Sequence, residues 1–550
     1  MSELLSAAQM RAIEQAAISA GYVTGLELME RAGQGVVDAI FEEWPALAQD
    51  KQHALVLCGP GNNGGDGFVI ARLLRAAGWD VRVHFLGDAA RLSSDARENH
   101  DRWAADNEVL PFEFDAVYDG PRPDAIVDAV FGIGLTRPLA DDVAQVLNTA
   151  AKKGWKAPYD IKTVAVDCPS GLDMDRGLVP GDIKHDEADA NPRPETICSA
   201  DLTVTFHAPK LGHYLALGPL LCRKLRVVDI GLWGFDSERT ILGMVPDPER
   251  VRLVEPIHMG KALPTSVWPK SAMSKPYPGG HKYDHGHVIV FAGSVGRGGA
   301  ARMAARSALR SGAGLVTVLC PPSALIENAC HLDAVMLRSW AKDQVLGDVV
   351  DDRASAFCLG PGMGVSERTH QRVIEVLGRR AAGSAWRDPA VVLDADALTS
   401  FADDPEKLFE HTHDRTILTP HEGEFGRLFP DLSGSARKDL SKVDAVRQAA
   451  SRAGCIILLK GPDTVIASPE GGASVHATAY GREAPWLATA GAGDVLAGFI
   501  TGLLARGMMP MQAVAYASWL HVECALRFGP GLIAEDLPEQ LPKVLADLGL

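Results

Sequence analysis

Twice in this chain a short apolar run or loop gives way to a glycine-rich segment that leads straight into a helical pattern. The first is GPGNNGGDG, Gly59–Gly67, directly after the run Ala54–Cys58. The second is LATAGAGDVLAG, Leu487–Gly498, which opens an apolar helix. Residues without bulk leave backbone N–H groups bare, and at a helix N-terminus those groups favour an anion. Each segment adds one carboxylate, Asp66 or Asp494, suited to a hydroxyl or a metal. Such punctuation commits a chain to alternating strands and helices. Two differently worded sites imply two active sites in one polypeptide.

The rest of the chain agrees. At 550 residues it exceeds what one core supports, so two or three domains are expected. In the first half the predicted strands are Ala54–Cys58, Val81–Phe85, Ala125–Phe131, Thr163–Cys168, Leu202–Phe206 and Arg226–Ile230, with a helix from about Asp66. In the second half they are His287–Gly293, Leu315–Cys320, Ala356–Gly360, Val391–Asp396, Thr416–Pro420, Cys455–Gly461 and Thr464–Ser468, before two apolar helices, Asp494–Ala505 and Met511–Phe528. Asp182–Glu195 is polar and reads as a surface excursion, and prolines crowd the stretch from about Val245 to Gly280. The expected division is an N-terminal domain over 1–240, a linker over 241–280 and a C-terminal domain over 281–550.

A net charge of −16 disfavours non-specific nucleic-acid binding. The nine cysteines form no CxxC pair, which fits reduced thiols and a cytoplasmic location. The opening residues lack the apolar core of a signal peptide, and no charge-free apolar run is long enough to span a membrane.

Gly59–Gly64 matches GxGxxG, but Asp66 would repel a close pyrophosphate; it reads instead as a helix cap or a hydroxyl partner. Asp128 in VDAVFGIG and Asp167 in VDCPSGLD end strands, where carboxylates point into the ligand crevice of α/β proteins. Asn63, Asp128 and Ser170 could offer hard oxygen donors to K⁺, Mg²⁺ or Ca²⁺.

GPGNNGGDG, VDAVFGIG, DCPSGLD and TFHAPKLG together resemble the YjeF N-terminal domain, the NAD(P)H-hydrate epimerase family, over about residues 1–235. The resemblance implies a Rossmann-like, three-layer parallel sheet. It implies that Asn62, Asn63, Gly64, Gly65 and Asp66 contact the hydrated nucleotide, together with Gly132, Ile133, Gly134, Leu135, Thr136, Arg137 and Pro138. Asp167 would contact it too and perform the acid–base step, Asn63, Asp128 and Ser170 would hold K⁺, and Lys210 is a further candidate contact. Ile133 stands where the family usually shows threonine, and the Asp182–Glu195 stretch is longer than usual. Moving a hydroxyl from one face of a carbinolamine carbon to the other requires proton transfer beside that hydroxyl, a task for Asp167.

In the second half Ala490-Gly491-Ala492-Gly493 forms the anion hole, and Asp494 is placed to accept a proton from an acceptor hydroxyl. No GxxxxGK[ST] occurs, so this is not a P-loop enzyme. Lys460 ends a buried strand, where a phosphate would account for it; Asp394 and Asp396 read either as helix caps, the favoured reading, or as residues near a metal; His421, between a strand and Glu422, reads as a ligand contact. With Gly293–Ala301, GPGMG, TPHEGEF and LLKGPDTVI, this half looks like the ribokinase-like YjeF C-terminal family, the ADP- or ATP-dependent NAD(P)H-hydrate dehydratases, over about residues 265–550. The resemblance implies substrate contacts at Ala300, Gly364, His421 and Asp494. It implies ADP or ATP, with Mg²⁺, at Lys460, Gly461, Pro462, Asp463 and Thr464 and at Ala490, Gly491, Ala492 and Gly493. Ala490 and Ala492 replace glycine and threonine of many members, leaving backbone amides but no hydroxyl.

The fused order resembles the bifunctional repair enzymes. They epimerise R and S NADH- and NADPH-hydrate and dehydrate the S form, through phosphorylation of the ring hydroxyl and elimination. The expected ligands are therefore small molecules, with no nucleic acid or membrane, and a homo-oligomer is expected by family habit. The alternative is a ribokinase-type small-molecule kinase with a regulatory or scaffold N-domain.

Overall fold

The apolar runs of the first half become seven parallel strands: β1 (His53–Cys58), β2 (Asp80–Phe85), β3 (Val109–Pro111), β4 (Ala125–Ala129), β5 (Lys162–Val166), β6 (Leu202–Phe206) and β7 (Leu225–Val228). Their order is β3-β2-β1-β4-β5-β6-β7. The chain winds outward from β1 to one edge and then returns to β4 on its other side, so β1 and β4 flank the point where ligands bind in doubly wound sheets. Alternation along the strands sends residues to opposite faces. Val56 and Val127 join one core with helices α1 (Ala7–Ser19), α2 (Gly25–Glu43) and α3 (Asn62–Ala76). Leu55, Leu57 and Ile126 pack on the other side against Val143, Val146 and Leu147 of α4 (Asp141–Lys152). Each such side chain removed from water contributes roughly 1.5–3 kcal/mol. Helix α1 starts at Ser6, whose hydroxyl accepts from the Gln9 N–H at 3.1 Å while Gln9 Oε1 accepts from the Ser6 N–H at 2.9 Å.

This is a computed structural model, and it describes residues 3–49, 51–152, 161–181, 199–232, 249–255, 281–341, 344–379, 389–437 and 440–550. The chain forms two compact units that divide between Arg250 and Val251. The polar stretch Asp182–Glu195 and most of 241–280 lie outside the described residues.

The second unit is built on β8 (Val251–Leu253), β9 (His287–Phe291), β10 (Leu315–Cys320), β11 (Met336–Ser339), β12 (Ala354–Leu359), β13 (Ala390–Leu393), β14 (Thr416–Leu418), β15 (Ile456–Leu459), β16 (Asp463–Ala467) and β17 (Ala473–Ala477). These ten are ordered β8-β17-β16-β15-β14-β13-β12-β9-β10-β11. From β15 to β11 neighbours run parallel, and β15, β16 and β17 form an antiparallel meander. The order reverses between β9 and β12, the second switch point. Helices α5 (Gly299–Arg310), α6 (Ala492–Ala505) and α7 (Pro510–Phe528) pack with Val288, Val290, Val316 and Val318 in one core.

Both units are α/β with parallel sheets, as the alternation predicts. Of these strands, four short ones were not predicted: β3, β8, β11 and β17. β3 ends in Pro111 at a sheet edge, where a missing N–H costs nothing, and β8 falls in the stretch assigned to the linker. α3 begins at Asn62 rather than near Asp66, with Gly61 as its N-cap.

Candidate active sites

A cavity of about 570 Å³ opens at the first switch point. Asn62, Asn63 and Asp66 reach it from α3, Gly132–Arg137 from the loop after β4, and Asp167 from the end of β5. Of the residues expected there, Gly64, Gly65 and Pro138 do not line it. The first two serve packing: a Cβ on Gly64 would lie 1.9 Å from Gly59 O, and one on Gly65 2.9 Å from Met29 Sδ. Since α3 starts at Asn62, Asp66 lies in its second turn and is no cap; it is buried in the cavity wall. Burial, then the charges of Asp167 and Glu14, pushes its carboxyl well above the usual range.

Asp167 is held hard. Its φ of 65° is left-handed, uncommon for a residue with a side chain. Its N–H donates to Val204 O at 2.7 Å. Its Oδ1 accepts from Thr205 Oγ1 at 2.7 Å and from Lys210 Nζ at 3.0 Å. Lys210 is fully buried and also donates to Thr205 Oγ1 and Phe206 O. It stands behind Asp167 and does not line the cavity, so it positions the carboxylate and does not touch a ligand. His213 completes the clamp. Its Nδ1 accepts from the Lys210 N–H at 2.9 Å, so the ring proton sits on Nε2 and is donated to Asp167 O at 2.9 Å. Burial pushes His213 down to about 4, which keeps it neutral in this role.

Behind the loop after β4, Asp128 accepts from the Ser170 N–H at 2.9 Å and the Ser170 hydroxyl at 2.6 Å. It is buried, and its hydrogen bonds among the described residues come from Ser170 and Val130 and from no cationic side chain. The Asn63 Nδ2 is buried without a partner among the described residues, and Asn63 Oδ1 faces Gly132. Burial pushes the Asp128 carboxyl above its usual range, against the hydrogen bonds from Ser170 and Val130.

At the second switch point the loops after β9 and β12 interlock. A Cβ on Gly293 would lie 1.8 Å from Gly362 O. Ala300 sits in the first turn of α5, and Gly364 has a φ of 83°. The Gly364 N–H donates to Asp396 Oδ2 at 2.7 Å, and Lys460 Nζ donates to Asp394 Oδ1 at 2.6 Å. Neither aspartate is therefore the helix cap that the sequence suggested, and Lys460 has its reason in Asp394. Burial pulls Lys460 down, but Asp394, Glu424 and Asp494 outweigh it and hold the ammonium above the usual range. Asp494, in the first turn of α6, is pushed up to about 7 by burial and then Asp394, with Lys460 opposing.

His421 caps the helix Glu422–Leu428: its Nδ1 accepts from the Gly423 N–H at 3.0 Å, and its side chain stays more than half exposed. In the turn from β15 to β16, Thr464 Oγ1 donates to Gly461 O at 2.8 Å, and Asp463 is paired to Lys442 at 2.7 Å. Both side chains are thus engaged within the protein. Gly491 caps α6 with a φ of 91°, and among the described residues no side chain makes a capping hydrogen bond there.

Glu14 of α1 lines the N-terminal cavity and was missed. Its helix reads as an amphipathic surface helix, and nothing in its own segment announces a site.

Residues 288–545 match the NAD(P)H-hydrate dehydratase family, and residues 25–212 match the YjeF-related protein N-terminus family. The chain is 32% identical over 569 residues to the bifunctional NAD(P)H-hydrate repair enzyme of Moorella thermoacetica, covering 99% of this chain and 97% of that protein. It is 46% identical over 216 residues to the NAD(P)H-hydrate epimerase of Rhodobacter capsulatus, covering 39% of this chain and 92% of that protein. Among solved structures it is similar to the ADP/ATP-dependent NAD(P)H-hydrate dehydratase of Bacillus subtilis co-crystallised with ATP/Mg²⁺, at 28% identity and a TM-score of 0.42, covering 50% of this chain and 95% of that one.

Proposed function

The chain belongs to the bifunctional NAD(P)H-hydrate repair enzymes, and from that premise we propose which residues carry each half of the work. The protein joins a NAD(P)H-hydrate epimerase to a NAD(P)H-hydrate dehydratase. The epimerase half is residues 1–240 and the dehydratase half 281–550, joined by 241–280. The R and S hydrates of NADH and NADPH bind in the N-terminal cavity against Asn62, Asn63 and Asp66 and against Gly132–Arg137. Asp167, aimed by Lys210 and Thr205, moves the proton as the hydroxyl leaves one face of the ring carbon and water returns to the other. Asn63, Asp128 and Ser170 hold K⁺, which when bound supplies a fixed positive charge beside the site.

The S form is dehydrated in the C-terminal half. Ala300, Gly364, His421 and Asp494 meet the hydrate. Lys460–Thr464 and Ala490–Gly493 meet ADP or ATP, with Mg²⁺ neutralising phosphate charge. Asp494 takes the proton of the ring hydroxyl as that oxygen gains a phosphoryl group. The phosphate is then a good leaving group, and elimination restores the dihydropyridine. The observation that carries this assignment is the raised carboxyl of Asp494 at an uncapped helix N-terminus beside Lys460. On this reading the chain works on small molecules in the cytoplasm as a homo-oligomer, which light scattering and cell fractionation check.

The test mixes the full chain with both epimers of NADH-hydrate, Mg²⁺ and ADP, and follows recovery of dihydronicotinamide absorbance. Parallel runs use ATP, no nucleotide, and Asp494→Asn. Complete nucleotide-dependent recovery, lost in Asp494→Asn, supports both halves once spontaneous epimerisation is subtracted. Recovery of one epimer only removes the epimerase assignment. Equal recovery by Asp494→Asn removes Asp494 from the chemistry.

A further inference from the structure

Three carboxyl groups from three separate elements share the wall of the N-terminal cavity: Glu14 of α1, Asp66 of α3 and Asp167 beyond β5. Their surroundings differ. Asp167 spends Oδ1 on the Lys210 ammonium and the Thr205 hydroxyl. Its Oδ2 takes no hydrogen bond among the described residues. Glu14 forms no hydrogen bond among the described residues and faces the cavity. Burial and then the charge of Asp167 push its carboxyl up to about 7, against the opposing charges of Lys210, His207 and Arg11, with Asp66 facing it as well. One cavity thus holds a carboxyl tied to an ammonium and a carboxyl without a hydrogen-bond partner among the described residues, and such a difference in surroundings can divide an acid from a base.

We propose that Glu14 is the general acid of the epimerisation, working with Asp167 as the base; this rests on the N-terminal unit being the epimerase. The Glu14 carboxyl gives its proton to the hydroxyl of the carbinolamine. The C–O bond breaks, its electron pair leaves with the oxygen as water, and the ring nitrogen lone pair forms the C=N bond of an iminium. Water then adds to the opposite face. The new C–O bond returns the C=N pair to nitrogen, and Asp167 accepts the proton that the adding water loses. Solvent in the open cavity carries that proton back to Glu14.

The experiment follows interconversion of the two NADH-hydrate epimers by the full-length chain and its Glu14→Gln and Glu14→Asp variants, from about pH 5.5 to about pH 8.5, with spontaneous interconversion subtracted. Thermal unfolding of each variant shows whether the N-terminal unit is folded, and ADP-dependent dehydration of the S epimer by the same preparations serves as a control on the C-terminal unit. Glu14→Gln is expected to lose about 10²–10⁴-fold in kcat with little change in KM. It is also expected to lose the fall in wild-type kcat/KM as pH rises through about 7. Glu14→Asp restores part of the rate and moves that limb. A Glu14→Gln chain with the wild-type rate and alkaline limb overturns the proposal. If the glutamine variant does not fold, an unmoved alkaline limb in Glu14→Asp does the same. A wild-type chain no faster than the spontaneous reaction removes the epimerase reading itself, a result distinct from either.

Discussion

At the scale of single residues, both sites rest on charges held where water is scarce. Lys210 and Asp167 form the clearest case, with side chains 1% and 13% exposed. Removing one member of a buried pair leaves the other uncompensated, at a cost of about 3–5 kcal/mol. Lys210→Met is therefore expected to destabilise the N-terminal unit by that order and to abolish epimerisation. Adding Asp167→Asn removes the stranded charge, so the double variant is expected to regain much of the stability and none of the activity. Denaturant unfolding of the two variants and the wild type checks this, and a double variant weaker than Lys210→Met sinks it. Asp494 has the opposite sign. Its carboxyl is raised to about 7 in the folded chain, from a usual value near 3.8. Between those values the folded state holds more protons than the unfolded one, so stability is present below about pH 4 and declines as pH rises through about 7. Asp494→Asn is expected to flatten that decline and to melt higher than wild type at about pH 8, while losing dehydration. Melting temperatures across this range decide it, and a wild-type decline retained by the variant rules out Asp494 as its source.

At the scale of elements, the glycines of the β1–α3 turn divide between packing and ligand access. A Cβ on Gly59 would lie 1.8 Å from Val130 O, where the ends of β1 and β4 meet, whereas nothing lies within 4 Å of one on Gly61. Gly59→Ala is expected to cost about 1–3 kcal/mol through displaced backbone and to spare the dehydratase. Gly61→Ala is expected to melt like wild type and to raise KM for epimerisation, because its new methyl stands at the cavity mouth. Comparing Tm with KM for the pair separates the two roles. Equal Tm losses would show that the turn is purely structural. The same turn marks what the sequence made legible. Apolar runs bounded by glycine disclosed β1, β4, β9 and β12, and with them both switch points, because period and punctuation are local properties. The start of α3 was misread, since Asn62 and Asn63 are weak helix formers and only the fold recruits them into a first turn. β17 escaped because ASVHA becomes a strand through its antiparallel pairing with β16. Glu14 and the Lys460–Asp394 pair were hidden for the same reason: the contact that gives each its meaning comes from an element far away in the chain.

At the scale of the whole molecule, the two reactions share a substrate and little else. The N-terminal cavity is lined by residues of the first unit alone, and Lys460, Asp394 and Asp494 all belong to the second. On the proposed assignment each unit works by itself, so that a hydrate that changes epimer at Asp167 reaches Asp494 as an ordinary solute. Two crippled chains should therefore repair each other's defect. An Asp167→Asn chain dehydrates S-hydrate but draws on R-hydrate only as fast as it epimerises spontaneously. An Asp494→Asn chain epimerises and goes no further. Supplied with pure R-hydrate, ADP and Mg²⁺, their mixture is expected to regenerate the dihydronicotinamide completely, after a lag in which S-hydrate accumulates in solution. That lag should shorten in proportion to the dehydrating chain added, since capture from solution is bimolecular. Absorbance recovery with chromatography of the two epimers reads both quantities. If the mixture runs no faster than Asp167→Asn alone while wild type is fast, the S-hydrate is being passed on within one chain, and the fusion joins the two steps by more than common expression.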